Sequence, residues 1–233
     1  MNLLRALRMS ALVVAIAGLF ANAPAEAGRI RGDVRIPSAG GTSAKRANRY
    51  PGRADAMAPS QKATPSPRDA VVFVSVAPEG VTLPRVRRDK KKDEALRPEL
   101  GQRGQAFVPR VVAIEVGTTV EFPNHDPIYH NVFSVSPTRR FDLGKYPQGH
   151  SRHVRFDKPG LVNVYCDIHS DMAAFVYVFE HGAFAQPAED GTFALPNLRS
   201  GDYTVTLWHP DFGERSQRVH VPDDGDATVA LSF

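Results

Sequence analysis

The sequence predicts an all-β chain arranged as β-sandwiches. Three observations carry this. From about Arg97 onward, short runs rich in Val, Ile, Phe, Tyr and Thr alternate with Pro, Gly and Asp turn signals, at the spacing of sandwich strands. After residue 27 no stretch keeps a 3.6-residue apolar period for the length of a helix. Before Arg97, Val71-Val-Phe-Val-Ser-Val76 is a short, β-branched apolar run bounded by Pro and Gly, as a buried strand is.

Residues 1–27 stand apart. Arg5 and Arg8 supply a positive start, Ala11 to Ala21 is a short apolar run, and Ala25-Glu-Ala27 offers small residues for cleavage. This is a secretory signal pattern. The run is shorter than the ~20 apolar residues a membrane span needs. The expectation is a periplasmic or secreted protein with no stable membrane insertion after cleavage.

Gly28 to Ile36 sets Ile30, Gly32, Val34 and Ile36 against polar neighbours, the period of a half-buried strand. A stretch over about 38–69, rich in Ser, Ala, Gly, Pro and basic residues, reads as a long disordered loop. Arg85 to Glu94 is a charge run, which reads as a solvated loop. Strands are then expected at 111–116, 118–122, 152–156, 161–166 and 173–179, with 141–143 a short one. Four more follow at 191–195, 202–208, 215–221 and 227–233. Tyr203 and Trp208 read as core of the last group.

The 233 residues carry a formal charge of +4, which is mild and suits an acidic partner or an anionic surface. No basic-aromatic motif argues for nucleic acid. The single cysteine, Cys166, cannot form an intramolecular disulfide. In an exported chain such a thiol is paired with another molecule, buried and inert, or a metal ligand.

Its neighbours favour the metal. Val164-Tyr-Cys-Asp-Ile-His-Ser-Asp-Met172 spaces Cys166, His169 and Met172 two residues apart. Thiolate, imidazole and thioether form a soft donor set, which favours copper, whereas methionine is a poor zinc ligand. The second imidazole is expected from His130, just after the Asn124-His-Asp126 turn. His125 competes for that role but reads as a turn residue. His150 and His153 read as exposed.

These residues carry a resemblance. Phe107-Val-Pro, Val116-Gly-Thr-Thr-Val-Glu-Phe, His130-Asn-Val and Tyr165-Cys-Asp-Ile-His-Ser-Asp-Met resemble, in order, the cupredoxins of the plastocyanin, azurin and amicyanin group, and the exported methylamine-utilisation-type proteins. The resemblance spans about residues 98–180, and Ile168 stands where the group often has Pro. It implies a Greek-key sandwich over 97–180 and one type 1 copper ion held by His130, Cys166, His169 and Met172. It also implies a hydrogen bond from Asn131 toward the ligand loop.

A second resemblance lies on the flanks. Ile30-Arg-Gly-Asp-Val with Val71–Val76, and Asp190-Gly-Thr-Phe-Ala-Leu to Tyr203-Thr-Val, are similar to the two halves of a carboxypeptidase-regulatory or transthyretin-like sandwich. Residues 28–96 and 181–233 would form that unit, with the copper domain inserted; tandem units are the alternative.

The expected function is electron carriage between redox partners, a cytochrome or a dehydrogenase, by Cu(I)/Cu(II) cycling. The ring edge of His169 would be the port, beside a patch of Pro127, Ile128, Ala173 and Ala174. The alternative is a copper-binding, storage or envelope interaction protein. No paired carboxylates or nucleophile–base set argue for an enzyme, and no His-x-His pairs offer ligands for further coppers.

Overall fold

A computed structural model describes residues 28–37, 64–85 and 97–233. The expected signal segment, 1–27, lies outside the described residues, as do most of the expected loop and of the charge run. The chain is all-β: sixteen strands and one 3-10 turn are described. Among the described residues no helix is long and apolar enough to cross a membrane.

Strands β1 (Ile30–Arg35) and β2 (Val71–Val76) come first. The end of the expected loop is ordered. Ser66 caps a 3-10 turn at Pro67–Asp69, which leads into β2 and buries Asp69. Next come β3 (Gly101–Gln102), β4 (Phe107–Val108), β5 (Val111–Glu115) and β6 (Thr118–Pro123). Then follow β7 (His130–Ser136), β8 (Arg139–Tyr146), β9 (Ser151–Phe156), β10 (Gly160–Tyr165) and β11 (Ala173–Phe179). The chain closes with β12 (Phe184–Ala185), β13 (Thr192–Ala194), β14 (Gly201–His209), β15 (Gly213–Val221) and β16 (Ala227–Ser232).

The strand β8 is much longer than the three residues expected. Its run Arg139-Arg-Phe-Asp-Leu-Gly-Lys-Tyr is mostly polar, and pairing with β7 rather than apolar content extends it.

Pairing sorts the strands into two groups. One holds a five-stranded sheet, β5-β11-β10-β7-β8, with the pairs β6-β9 and β3-β4. Val112, Ile114, Val132, Val162, Val164, Ala174 and Val176 from the large sheet share a core with Val120, Phe122, Val154 and Phe156 from the β6-β9 pair. The other group holds sheets β13-β1-β16 and β12-β2-β14-β15. Ile30, Val34, Val72, Val74, Tyr203, Val205, Leu207 and Leu231 fill the space between them. Thus β1 and β2 pair only with strands from the C-terminal part of the chain, across the whole span β3–β11.

The two groups meet face to face. Successive side chains on a strand point to opposite sides. On β11, Ala174, Val176 and Val178 face one core, while Phe175, Tyr177 and Phe179 face the other way. On β2, Val72 and Val74 face inward, while Val71 and Phe73 join those aromatics. Trp208 completes the junction, edge-on to Phe175 and Tyr177 with ring centroids 5.7 and 5.3 Å apart. It therefore belongs to the junction, not to the terminal core where the sequence placed it. Tyr203 does lie in that core, and its hydroxyl donates to the Arg199 carbonyl at 2.8 Å.

Candidate metal centre

The hairpin β10–β11 builds one half of the site. Its last paired residues are Tyr165 and Ala173, so Cys166 and Met172 leave the ladder side by side. The Met172 amide donates to the His169 carbonyl at 3.0 Å, and the Cys166 amide to the Met172 carbonyl at 3.4 Å. These bonds fold residues 166–172 into a closed loop. Cys166 and Met172 are 3% and 2% exposed and pack in the core, while His169 is part-exposed.

The adjacent strand supplies the other half. Tyr165 pairs with Phe133 on β7, which places His130, the first residue of β7, beside the loop. His130 is fully buried. Its Nδ1 stands 3.9 Å from the Cys166 Sγ and 3.1 Å from the His169 Nδ1, and the His169 Nδ1 is also 3.9 Å from the sulfur. His130, Cys166 and His169 are the one group of three or more such donors gathered this closely among the described residues.

The size of this triangle is chemically meaningful. Edges of 3.1, 3.9 and 3.9 Å enclose a centre about 2.1 Å from all three donors, within the usual bond lengths of about 2.0–2.3 Å for nitrogen and sulfur ligands. The three donors are therefore spaced so that they could hold a single ion between them. Two imidazoles and one thiolate in a trigonal plane form the donor set of blue-copper sites. The sequence-expected residues His130, Cys166 and His169 are brought together. Met172 is brought to the same loop by its backbone.

No family model matches the chain, and no curated protein matches it. Among solved structures, the chain is similar in part to a Cu-containing nitrite reductase (NirK) from Thermus scotoductus SA-01. Identity is 28%, coverage is 41% of this chain but only 28% of that one, and the TM-score is 0.36. It is also similar to a novel purple cupredoxin from Nitrosopumilus maritimus, at 22% identity over 35% of this chain and 99% of that one, with TM-score 0.33. A point mutant of amicyanin, in its Cu(I) form, matches at 18% identity over 35% of this chain and 80% of that one, also with TM-score 0.33.

Residues the sequence did not single out brace the centre. Asp126 accepts the His130 Nε2–H at 2.8 Å. It also accepts the Gly104 and Gln105 amides at 2.5 and 2.8 Å. Burial opposes its charge, but these amides and His130 outweigh that and hold the carboxyl below its usual range. An ionised carboxylate only accepts, so the hydrogen of a neutral His130 sits on Nε2 and Nδ1 turns a lone pair to the centre. The His169 Nδ1 would then carry the hydrogen between the two rings, and an ion held at the centre would take that hydrogen's place. Burial, then the nearby His130, pushes the His169 pKa down, against a smaller pull from Asp126.

Asn124 holds the turn that carries Asp126. Its side-chain amide donates to the Ile128 and Tyr146 carbonyls at 2.8 and 3.0 Å, and its oxygen accepts the Asp126 amide at 2.9 Å. Below lies Tyr146, which pairs with His130 across β7–β8. Its hydroxyl donates to the Phe122 carbonyl at 2.8 Å and accepts from Gln102 at 2.7 Å. Burial raises its pKa. The visible signal for Asp126 was its place four residues before His130, in an Asn-His-Asp-Pro turn.

Two expectations change. Asn131 donates to Asp142 on β8 at 2.7 Å, rather than toward the ligand loop. A charged acceptor makes the stronger bond, and a bulge between Asn131 and Phe133 falls at that point of the β7–β8 pair. Ala174 is 1% exposed and faces the core, so it cannot line a docking patch. Tyr129, at 58% exposure, takes its place beside Pro127 and Ile128. His125 bonds Glu99 at 2.9 Å outside the cluster, and His150 and His153 are exposed.

Proposed function

We propose that this chain holds one copper ion and carries electrons by cycling it between Cu(I) and Cu(II). The observation that carries the reading is the His130–Cys166–His169 triangle, whose dimensions fit one ion that two imidazoles and a thiolate would hold together. The thioether of Met172, as far beyond His169 as His169 is beyond Cys166, would be a fourth ligand. Copper in such a set accepts and gives up one electron with little change of geometry.

The chain's own residues keep that geometry. His130 is buried and tied through Nε2, and Cys166 is buried at the end of a paired strand. Donors fixed in this way move little when the charge at the centre changes. His169 is the only part-exposed member of the three, and so the natural electron port. The exposed Pro127-Ile-Tyr129 segment directly precedes His130 and offers an apolar landing surface for a redox protein.

The pairing of β1 and β2 with the C-terminal strands supports a further part of the reading. We take the copper unit, 97–180, to be inserted into a second sandwich formed by 28–96 and 181–233. Export after removal of residues 1–27 completes it.

The test is spectroscopic. Cu(II) added to the exported form is expected to give an intense visible thiolate-to-copper band, absent in Cys166→Ser. A colourless wild type, or a band that survives in Cys166→Ser, overturns the proposal.

A further inference from the structure

We propose that the end of the five-stranded sheet remote from His130 carries a binding site for a phosphate-type oxyanion. The strand β7 begins at His130 and ends at Ser136, a rise of roughly 20 Å at about 3.3 Å per residue. At its far end the β7–β8 turn meets the β9–β10 turn. A Cβ on Gly160 would lie 3.0 Å from the Thr138 hydroxyl, so the two turns abut.

A cavity of about 260 Å³ opens between them, lined by Pro137, Thr138, Arg139, Arg140, Asp157 and Lys158. Three of the six are cations. The one acid is engaged, because Asp157 accepts the Arg155 Nε–H at 2.7 Å. Arg139, Arg140 and Lys158 form no ion pair with any described carboxylate. The Arg139 Nε–H is shut off from solvent and meets no acceptor among the described residues.

Such a group is costly to leave unmatched, since a buried donor without a partner forfeits about 1–3 kcal/mol and more when charged. A tetrahedral oxyanion answers the need. It presents several acceptor oxygens at once, which suits a cavity whose lining residues carry two guanidinium groups and an ammonium. A small shift of the Arg139 side chain toward a bound oxyanion gives its Nε–H an acceptor. The oxyanion is either free phosphate or the phosphate of a lipid headgroup. If the headgroup is the source, the metal end faces away from the membrane. That orientation, unlike the binding, rests on the copper reading.

The experiment is a titration of inorganic phosphate into the nitrogen-15-labelled exported chain, with ionic strength held constant by chloride. Backbone amide resonances of Thr138 and Asp157, which line the cavity and persist in every variant, are followed. A saturable shift is expected, with half-saturation weakened about tenfold in Arg139→Gln/Arg140→Gln. Should that double variant lose its amide dispersion, Lys158→Gln on the exposed turn serves instead, with a severalfold weakening. A second arm compares retention on phosphatidylglycerol and phosphatidylcholine vesicles. Retention on the first alone, lost in the variants, identifies a headgroup; a phosphate shift without retention identifies the free oxyanion. The site is refuted if phosphate gives no saturable shift and neither vesicle retains the chain, or if the variants behave as wild type. The failure leaves the copper band untouched, so it is distinct from failure of the metal centre.

Discussion

Single residues at the centre divide into donors and the groups that aim them. The grouping of His130, Cys166 and His169 was legible because the chain has one cysteine and a histidine follows it at short spacing. Asp126 was not, because an aspartate in a turn is ordinary in sequence. Only the fold shows its carboxylate sitting on His130 and on two amides of the β3–β4 turn. Replacing it tests that role. In Asp126→Asn the side chain keeps its size but places an NH2 group against amide donors. The lost negative charge makes His130 a weaker donor, and the more positive ion loses more. Copper affinity is expected to fall about 10–100-fold, the usual cost of breaking such a brace, with Cu(II) weakened more than Cu(I) and the reduction potential raised. Competition with a copper chelator and potentiometry measure both. Unchanged values would show that Asp126 merely ties down the turn.

Strands with a clear alternation or a β-branched run were read well, but β7, which follows directly on a turn and is buried along most of its length, was not expected as a strand at all. The alternation on β1 predicted Ile30 and Val34 as inward, and both are in the core. The polar β8 was cut short because its partner β7, not its own composition, extends it. β1 also holds a position that sequence alone cannot interpret. Gly32 faces Val229 on β16 and Phe193 on β13. A Cβ there would overlap the Val229 carbonyl, a backbone atom held by the sheet, so no rotamer relieves it. Gly32→Ala is expected to destabilise the fold by about 2–3 kcal/mol, as overpacking does. The urea midpoint should fall while the proposed copper–thiolate band of the folded protein stays in place, because β1 lies outside the sheet formed by β5, β11, β10, β7 and β8. A midpoint equal to wild type would mean that the β1–β16 pairing is looser than described.

At the scale of the molecule, the decisive feature is the junction between the two sets of sheets. The sequence showed β2 and β11 as apolar on both faces, but gave no means of telling which elements they pack against. Trp208 was misplaced for that reason. Beside the aromatics, Arg110 clamps Asp211 through two bonds of 2.6 and 2.8 Å and lies 3.6 Å from Asp69. Arg110 precedes β5, while Asp69 and Asp211 come from the other set. Burial opposes the Asp211 charge, but Arg110 more than offsets it and holds that carboxyl low; burial raises Asp69.

His209 sits fully buried against this cluster. Its Nδ1 accepts the Asp211 amide at 3.1 Å, and its Nε2–H points to the Ser66 carbonyl at 3.3 Å. The ring is therefore held neutral. Burial lowers its pKa from 6.5 to about 4, with Arg110 adding to the effect and Asp211 opposing it. The unfolded chain takes up a proton near 6.5, while the folded chain refuses it until about 4. Between those values the unfolded state binds more protons, so stability rises with pH. The contribution is complete above the unfolded value and is lost as pH falls toward the folded one. At about 1.4 kcal/mol per unit, the full span is worth roughly 3 kcal/mol. His209→Gln keeps a neutral donor and acceptor but cannot titrate. Urea midpoints measured across that window should decline steeply in wild type and much less in the variant. Parallel declines would show that acid unfolds the chain elsewhere, through carboxylates remote from the junction.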